Sequence, residues 1–537
     1  MATTDAVAVA NVPAPEWRPH HNPWAIALTV TLATFMEVLD TSIANVALPH
    51  IAGSLSASQD ESAWVLTSYL VSNAIVLPIS AWLATRFGRK RFYMTCVALF
   101  GISSFLCGLA PTLGSLIFFR ILQGIGGGGL APSEQAILAD TFPAAKRGMA
   151  FAVYGMAVVV APAIGPTLGG WITDNSTWRW IFYINVPVAI LSLYLSNRLV
   201  EDPPYLARER KRSQGVKVDY IGVALIALGI GCLQLVLDKG QEDDWFSSTR
   251  ITVCLGLAIA TIGTWIWWEW RHKDPIVDLR LFKRRNFAVA MFFTFVLGTV
   301  LYGTTFVIPQ FLQTMLGYPA VKAGEALAGG GLAMMIMMPI AGALVSRVDP
   351  RAMMAFGFVS TSAALYFMVT HISLGMDFVT ASMLRTLQSV GLAFIFLPSN
   401  TLAYLGVPRE KNNQVSAMNA FVRNIGGSIG IAMIGTFLIR RAQVHQTYLV
   451  SNTGAGNAPF AQMVAGMTAT LQRAGMSAAD ASQQAYVRVG RMVQAQATTL
   501  AYVDVISVLA VVVLCLAPLV TLMRRAKRGN KVESSLH

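Results

Sequence analysis

Glu37, Asp40, Arg120 and Glu134 are charged residues set inside apolar runs of membrane-spanning length, and that setting gives them their chemical interest. A charge at the centre of a bilayer costs roughly 2.5 to 3.5 kcal/mol even on lenient insertion scales, so such groups normally face a bundle interior or a water-filled path. At about 100° per residue, Arg120, Gln123, Gly127, Ala131, Glu134 and Gln135 share one side of a helix, with aliphatic and aromatic residues opposite. The same spacing groups Asp40, Thr41 and Asn45 around Glu37. With a rise of about 1.5 Å per residue, Asp40 lies ~12 Å and Arg120 ~10 Å from the outer ends of their helices. The two charges can meet.

A carboxylate beside an arginine in a low-dielectric, intermittently wet cavity can couple protons to conformational change, because burial and a guanidinium act oppositely on a carboxyl and separating the pair changes its proton occupancy. Each proton entering down a membrane potential supplies roughly 2.3 kcal/mol per 100 mV. The alternative is a static ion pair that orients two helices. Glu37 suits a proton or a cationic substrate, or a helix contact. Glu134 suits a gate or cytoplasmic network, or simple snorkelling at the interface. Asp40, Glu37, Arg120 and Glu134 are therefore the candidate proton-coupling residues. Thr41, Asn45 and Gln123, with Arg385, Gln388, Asn419 and Arg423 from polar faces later in the chain, are the candidate substrate-cavity residues.

Other chemistries lack their residues. Gly124, Gly126 and Gly129 fit GxGxxG, but no strand precedes them, and close packing of membrane helices accounts for them better. There is no HExxH and no GxxxxGK[ST]; the seven histidines lie mostly in loops or termini, and the five cysteines lie in apolar runs without CxxC spacing. No enzyme activity, metal or cofactor is expected, only protons as the coupling ion.

These residues need an all-α membrane scaffold. The 537-residue chain is 55% hydrophobic and only 12% charged, about half the charged share of a soluble protein, with a mean hydropathy of +0.55. Fourteen apolar runs of about the length that crosses ~30 Å of hydrocarbon lie near residues 24–48, 61–83, 92–110, 113–138, 149–172, 180–198, 219–237, 251–270, 287–312, 323–346, 352–371, 378–404, 413–438 and 498–523. The net charge of +13 is concentrated in alternate loops. It therefore reports topology, with both termini in the cytoplasm, rather than a nucleic-acid partner. No signal peptide is expected in Met1–Pro23.

The chain also repeats itself. Arg120-Ile-Leu-Gln-Gly returns as Arg385-Thr-Leu-Gln-Ser, 265 residues on; Arg86 pairs with Arg347, and Gly165 and Gly169 with Gly426 and Gly430, each 261 residues on. Two six-helix bundles in parallel repeat are implied, with two helices inserted between them. The expected division is an N-terminal tail (1–23), a first bundle (24–199), linkers with the inserted helices (200–286), a second bundle (287–523) and a C-terminal tail (524–537). Within the second bundle, 440–497 reads as a long non-cytoplasmic loop, and Ser477 to Asp480 as a helix start that could run on into the last span.

With these residues in view, the chain resembles the fourteen-span drug:proton antiporters of the major facilitator superfamily, most closely the EmrB branch of bacterial multidrug exporters. Leu39-Asp40-Thr41-Ser42-Ile43-Ala44-Asn45-Val46-Ala47-Leu48-Pro49 is similar to the first-helix signature, and Arg120-Ile-Leu-Gln-Gly to the fourth-helix motif. Ala161-Pro162-Ala163-Ile164-Gly165-Pro166-Thr167-Leu168-Gly169-Gly170 resembles the fifth-helix motif of exporters, and Trp178 to Pro187 is also typical. In the loop holding Arg86, Gly88 and Arg89, Thr85 stands where the family has an aspartate that helps lock the outward-facing state. The resemblance implies proton-driven export of hydrophobic or amphipathic compounds from the cytoplasm or inner leaflet. It also implies a place in the bacterial inner membrane, surrounded by lipid, and work with a periplasmic adaptor and an outer-membrane channel, with 440–497 as the candidate docking surface. On composition alone an importer, a facilitator or an exporter of one metabolite remains open, and the fifth-helix motif argues against import. Pro162 and Pro166 each remove a backbone donor, so that helix should be bent and tightly packed. The soft residues around Phe292, Tyr302, Met334 and Met338 could line an adaptable pocket or face lipid.

Overall fold

The computed structural model describes residue 17 and residues 19–523, apart from 144, 214–218, 273–274, 346, 452 and 455–456. Most of the expected N-terminal tail and all of 524–537 lie outside the described residues. Within them there is no strand, and fourteen helical spans are long and apolar enough to cross a membrane, two of them, Leu113–Thr141 and Trp180–Leu199, each made of two consecutive α-helices.

The first bundle comprises α1 (Pro23–Ser54), α2 (Gln59–Phe87), α3 (Arg89–Leu109), α4 (Leu113–Gly127), α5 (Leu130–Thr141), α6 (Arg147–Asn175), α7 (Trp180–Tyr183) and α8 (Asn185–Leu199). Its starts are chemically marked. Asn22 accepts from the Trp24 amide ahead of Pro23, and Ser58 with Glu61 and Thr112 with Ser115 form reciprocal caps. A short polar helix, α9 (Pro204–Ser213), leads to the inserted pair α10 (Tyr220–Lys239) and α11 (Thr249–Arg271). The second bundle comprises α12 (Arg285–Thr314), α13 (Ala320–Leu344), α14 (Pro350–His371), α15 (Phe378–Ala403), α16 (Asn412–Ser451) and α18 (Ala478–Leu516), with α17 (Ala458–Arg473) between the last two.

The span expected over 113–138 is two helices, α4 and α5. Pro132 has no amide to offer the carbonyl of Gly128, and the four glycines from 126 to 129 hold the helix only weakly. The glycines serve packing instead. A Cβ on Gly124 would lie 2.5 Å from the Tyr69 carbonyl of α2, and one on Gly126 would lie 2.7 Å from the Phe100 amide of α3. Backbones of three helices thus touch, and Arg120 is held between them.

Helix α6 passes unbroken through Pro162 and Pro166. It packs between α1 and α13: the Ser42 hydroxyl donates to the Pro162 carbonyl at 3.3 Å, Gly165 and Gly169 lie against Ser42 and Ile43, and Gly170 lies against Val321.

Residues 440–497, read from the sequence as a loop, are largely helical. Helix α16 runs 40 residues without a break, and α18 runs 39, about twice the length that crosses a bilayer. Asn457 and Ser477 cap α17 and α18. Val464, Leu471, Ala481, Ala485 and Val489 form a small separate core between them. At the base of this extension Asp504 accepts from Arg441 at 2.6 Å and lies 2.7 Å from His445 Nε2.

Candidate functional site

The Asp40 carboxylate of α1 is the centre of a closed polar cluster. Arg120 Nη1 donates to its Oδ2 at 2.6 Å, while Gln123 Nε2 and Asn185 Nδ2 donate to Oδ1 at 3.0 and 2.7 Å. Arg120 also donates to Gln123 Oε1 and to the Val65 carbonyl, and its guanidinium lies 4.4 Å from the Tyr69 ring centroid. Asp40 is 2% exposed and Arg120 is fully buried. One turn of polar side chains therefore joins α1, α4 and α8. Such a pair is held by hydrogen bonds as well as charge, and removal of either partner leaves an ion in a dry site.

Glu37 and Glu134 stand apart from that pair. Glu37 Oε1 accepts from Asn73 Nδ2 at 2.9 Å and Glu134 Oε1 accepts from the Thr31 hydroxyl at 2.6 Å. The second oxygen of each carboxyl has no hydrogen-bond partner among the described residues. Thr41 returns its hydroxyl to the Glu37 carbonyl of its own helix, and Asn45, nearer the far end, is exposed.

Arg385 and Arg423 of the second bundle have no carboxylate partner at ion-pair distance among the described residues. Arg385 donates to Gln388 Oε1 at 2.8 Å, to Thr304 at 3.1 Å and to Thr305 at 2.9 Å, all neutral. Arg423 donates to the Tyr154 hydroxyl of α6, and Asn419 Nδ2 donates to Gln135 Oε1 of α5 at 2.8 Å. Gln135 in turn donates to Tyr154 at 3.0 Å. The two bundles are thus joined by neutral and singly charged hydrogen bonds through the middle of the molecule.

A third cluster closes the end of the molecule where basic residues crowd the loops. Arg89 Nη1 donates to Asp140 at 2.5 Å and to the Ala136 carbonyl, Nη2 to the Tyr205 hydroxyl of α9 at 3.1 Å, and Nε to Asn413 Oδ1 of α16 at 2.7 Å. Asn412 donates to Asp140 at 2.7 Å and Asn413 to Thr85 Oγ1 at 3.3 Å. Gly88 takes φ 93° to turn α2 into α3, and the Arg86 guanidinium lies 5.6 Å from the Trp82 ring centroid. The place where the family has an aspartate is filled here by a threonine bonded to an amide from the other bundle.

Sequence reasoning paired Asp40 with Arg120 and set Gln123 on the Arg120 face as a cavity residue; the structure brings all three into one buried cluster. The same reasoning gave Glu37 and Glu134 separate roles and set Arg385 and Arg423 on different spans, and in the structure these four have different hydrogen-bond partners. It passed over Asn185, Asn73, Thr31, Asp140, Tyr205, Asn412 and Asn413. The neutral amides and hydroxyls among them carry no charge penalty to draw attention, although Asn185 lies within the Trp178–Pro187 stretch, and Asp140 lies just beyond the apolar run 113–138.

The profile of the Major Facilitator Superfamily matches residues 30–431. The multidrug export protein EmrB of Escherichia coli (strain K12) is 37% identical over 457 residues, which are 85% of this chain and 87% of that protein. The fatty acid resistance protein FarB of Neisseria gonorrhoeae is 39% identical over 463 residues, 86% of each. Among solved structures, the proton:xylose symporter XylE superposes with a TM-score of 0.59 at 14% identity, covering 94% of this chain and 96% of that one, a likeness of fold. The repeated bundles, the buried Asp40–Arg120 pair and these relatives place the chain in the Major Facilitator Superfamily, on its EmrB branch.

Proposed function

We propose that this protein is a proton-coupled exporter of hydrophobic or amphipathic drug-like compounds, working by alternating access between its two bundles. The observation that carries the reading is Asp40: a buried carboxylate of α1 held by Arg120 and Gln123 of α4 and Asn185 of α8, so that any movement of α1 against α4 changes what it bonds to. Glu37 and Glu134, each with one oxygen unpartnered, are the further acids toward which a proton or a substrate would move. The name of the EmrB relative supports drug export.

The basic loops set the cytoplasmic side, by the positive-inside rule, which puts both termini and the Arg89 cluster in the cytoplasm. With that cluster closed and Asn45 exposed at the other end, the bundle rests in a state closed to the cytoplasm. We read the membrane as the bacterial inner membrane. The helical extension of α16, α17 and α18 then projects into the periplasm as the surface for an adaptor leading to an outer-membrane channel.

The test is collapse of a pH gradient in everted vesicles on addition of a hydrophobic drug, with wild type beside Asp40→Asn. Drug-dependent proton release in wild type, lost in the variant while drug binding persists, is the expected result. A variant that still exchanges protons for drug would make Asp40 structural. Absence of drug-dependent flux in well-inserted wild type, across chemically varied drugs, would favour an importer or facilitator.

A further inference from the structure

A groove opens on the side of the molecule where α1, α6 and α13 diverge toward the basic end. Leu28 and Phe35 of α1 form one wall, Val153, Met156 and Val160 of α6 the floor, and Met335 of α13 the other wall. Its free space of about 290 Å³ is near the lower end of small-molecule sites, roughly 300 to 1,000 Å³. Leu28 is 64% and Met335 45% exposed, so the groove opens sideways, where the helices would meet acyl chains.

A groove lined only by aliphatic residues would be a lipid crevice. This one ends on a polar group. Thr31 is its single polar lining residue, and the Thr31 hydroxyl donates to Glu134 Oε1 at 2.6 Å. Glu134 is fully buried, has no ion pair among the described residues, and keeps Oε2 without a partner. The Thr31 hydroxyl therefore stands between an apolar slot at membrane depth and a buried carboxyl that has no ion pair at contact distance, Arg423 being the cation that acts on it from further off. A ligand that fits both must have an apolar chain and a positively charged, hydrogen-bonding head. An anionic head would meet a like charge, and a purely apolar ligand would leave the carboxyl as it is.

We propose that the groove is a lateral access site for single-chain cationic amphiphiles such as primary alkylammoniums, whose chain lies between α1, α6 and α13 and whose ammonium reaches Glu134 beside Thr31. The site deepens the export reading, on which its direction of use rests; the binding itself does not depend on it. At about 1.5 Å per residue, Leu28 lies ~8 Å and Met335 ~13 Å from the basic ends of their helices, so the site draws from the cytoplasmic leaflet.

The experiment uses the full protein in phosphatidylcholine vesicles and a dodecylammonium bearing a terminal photoreactive diazirine, with labelled peptides identified by mass spectrometry. A dodecanoate and a phospholipid carrying the same group serve as comparisons. Saturable labelling of peptides containing Leu28–Phe35, Val153–Val160 or Met335 by the ammonium is expected, competed by unlabelled dodecylammonium and reduced at least tenfold in Glu134→Gln. Met335→Trp, at an exposed lining position, should reduce it similarly, and it decides the matter if Glu134→Gln does not fold. Equal labelling by all three probes, or ammonium labelling unchanged in both variants, would overturn the proposal and leave a lipid-facing crevice. Saturable labelling without drug-dependent proton flux would overturn the export reading alone. Proton-coupled export without saturable labelling would overturn the groove alone.

Discussion

Arg89 and Asn413 are 324 residues apart, one on each bundle, and the arginine Nε donates to the amide oxygen at 2.7 Å. The same asparagine turns its Nδ2 to Thr85 of α2 at 3.3 Å. One neutral side chain therefore links the start of α3, the end of α2 and the start of α16. Around it Asp140, Asn412 and Tyr205 complete the closure, and Arg89 is 1% exposed.

Asn413→Ala removes two of these bonds without leaving a charge unpaired, because Arg89 keeps Asp140. Each bond contributes about 0.5 to 1.5 kcal/mol, more where a charge is involved, so the closed state should lose roughly 1 to 3 kcal/mol. Amide exchange near residues 85–92 and 409–416 should rise by about tenfold or more in the variant. Thr85→Asp should do the opposite, since a carboxylate would accept from Asn413 and add a charge facing Arg89; exchange there should slow and transport turnover should fall. Unchanged exchange in both variants would show that the closure is held elsewhere.

Arg120 and Arg385 are repeat partners in unlike settings, and that difference is measurable. Arg120→Met strands Asp40, and breaking a buried pair typically costs about 3 to 5 kcal/mol. Arg385→Met removes a cation whose partners are neutral and strands no ion. The first variant should melt well below wild type in detergent, and the second much closer to it. Combining Arg120→Met with Asp40→Asn should recover most of the lost stability, whereas no recovery would mean that Arg120 acts through Val65 and Tyr69 rather than through Asp40.

The Asp40–Arg120 pair was legible in the sequence because charges in apolar runs are costly and the helical rise fixes their depth. The repeat was legible for a similar reason, since Arg120 and Arg385 recur with Gln123 and Gln388 at the same spacing. Asn413 was not: a neutral amide near a helix start has many ordinary uses, and nothing local ties it to Arg89. The α17 extension was read as a loop because its hydropathy falls. Its Ala- and Gln-rich sequence is helix-favouring, and a few apolar residues such as Val464 and Leu471 suffice to pack it against α18.

Close backbone approach makes a sharper mutational prediction than any propensity scale. A Cβ on Gly298 of α12 would lie 2.2 Å from the Arg423 carbonyl oxygen, backbone that cannot swing away, whereas one on Gly435 of α16 would meet nothing within 4 Å. Gly298→Ala should push α12 from α16 and destabilise the second bundle by about 1 to 3 kcal/mol, the usual range for overpacking. Gly435→Ala should be neutral or slightly stabilising, since alanine is the better helix former by about 1 kcal/mol. Equal melting of the two variants would contradict the packing of α12 on α16 at Arg423.

The linker helix α9 brings pH dependence to the closed end. Burial above all, with the charges of Glu410 and Asp140 adding to it and those of Arg89 and Lys411 opposing, pushes the Glu209 carboxyl from an ordinary 4.5 up to about 7. Docked α9 therefore holds a proton on Glu209 that the undocked helix gives up between pH 4.5 and 7. Docking is strongest where both forms are protonated, weakens as pH rises through that window, and changes little above about 7. Because Tyr205 of the same helix donates to Asp140 at 2.5 Å, undocking also removes one partner of the Arg89 cluster. Amide exchange across residues 204–213 should accelerate from pH 5 to pH 7 beyond the intrinsic chemical rate. Glu209→Gln, which cannot ionise, should keep the low-pH protection throughout. If wild type and variant instead follow the same pH profile, Glu209 does not govern the docking of α9.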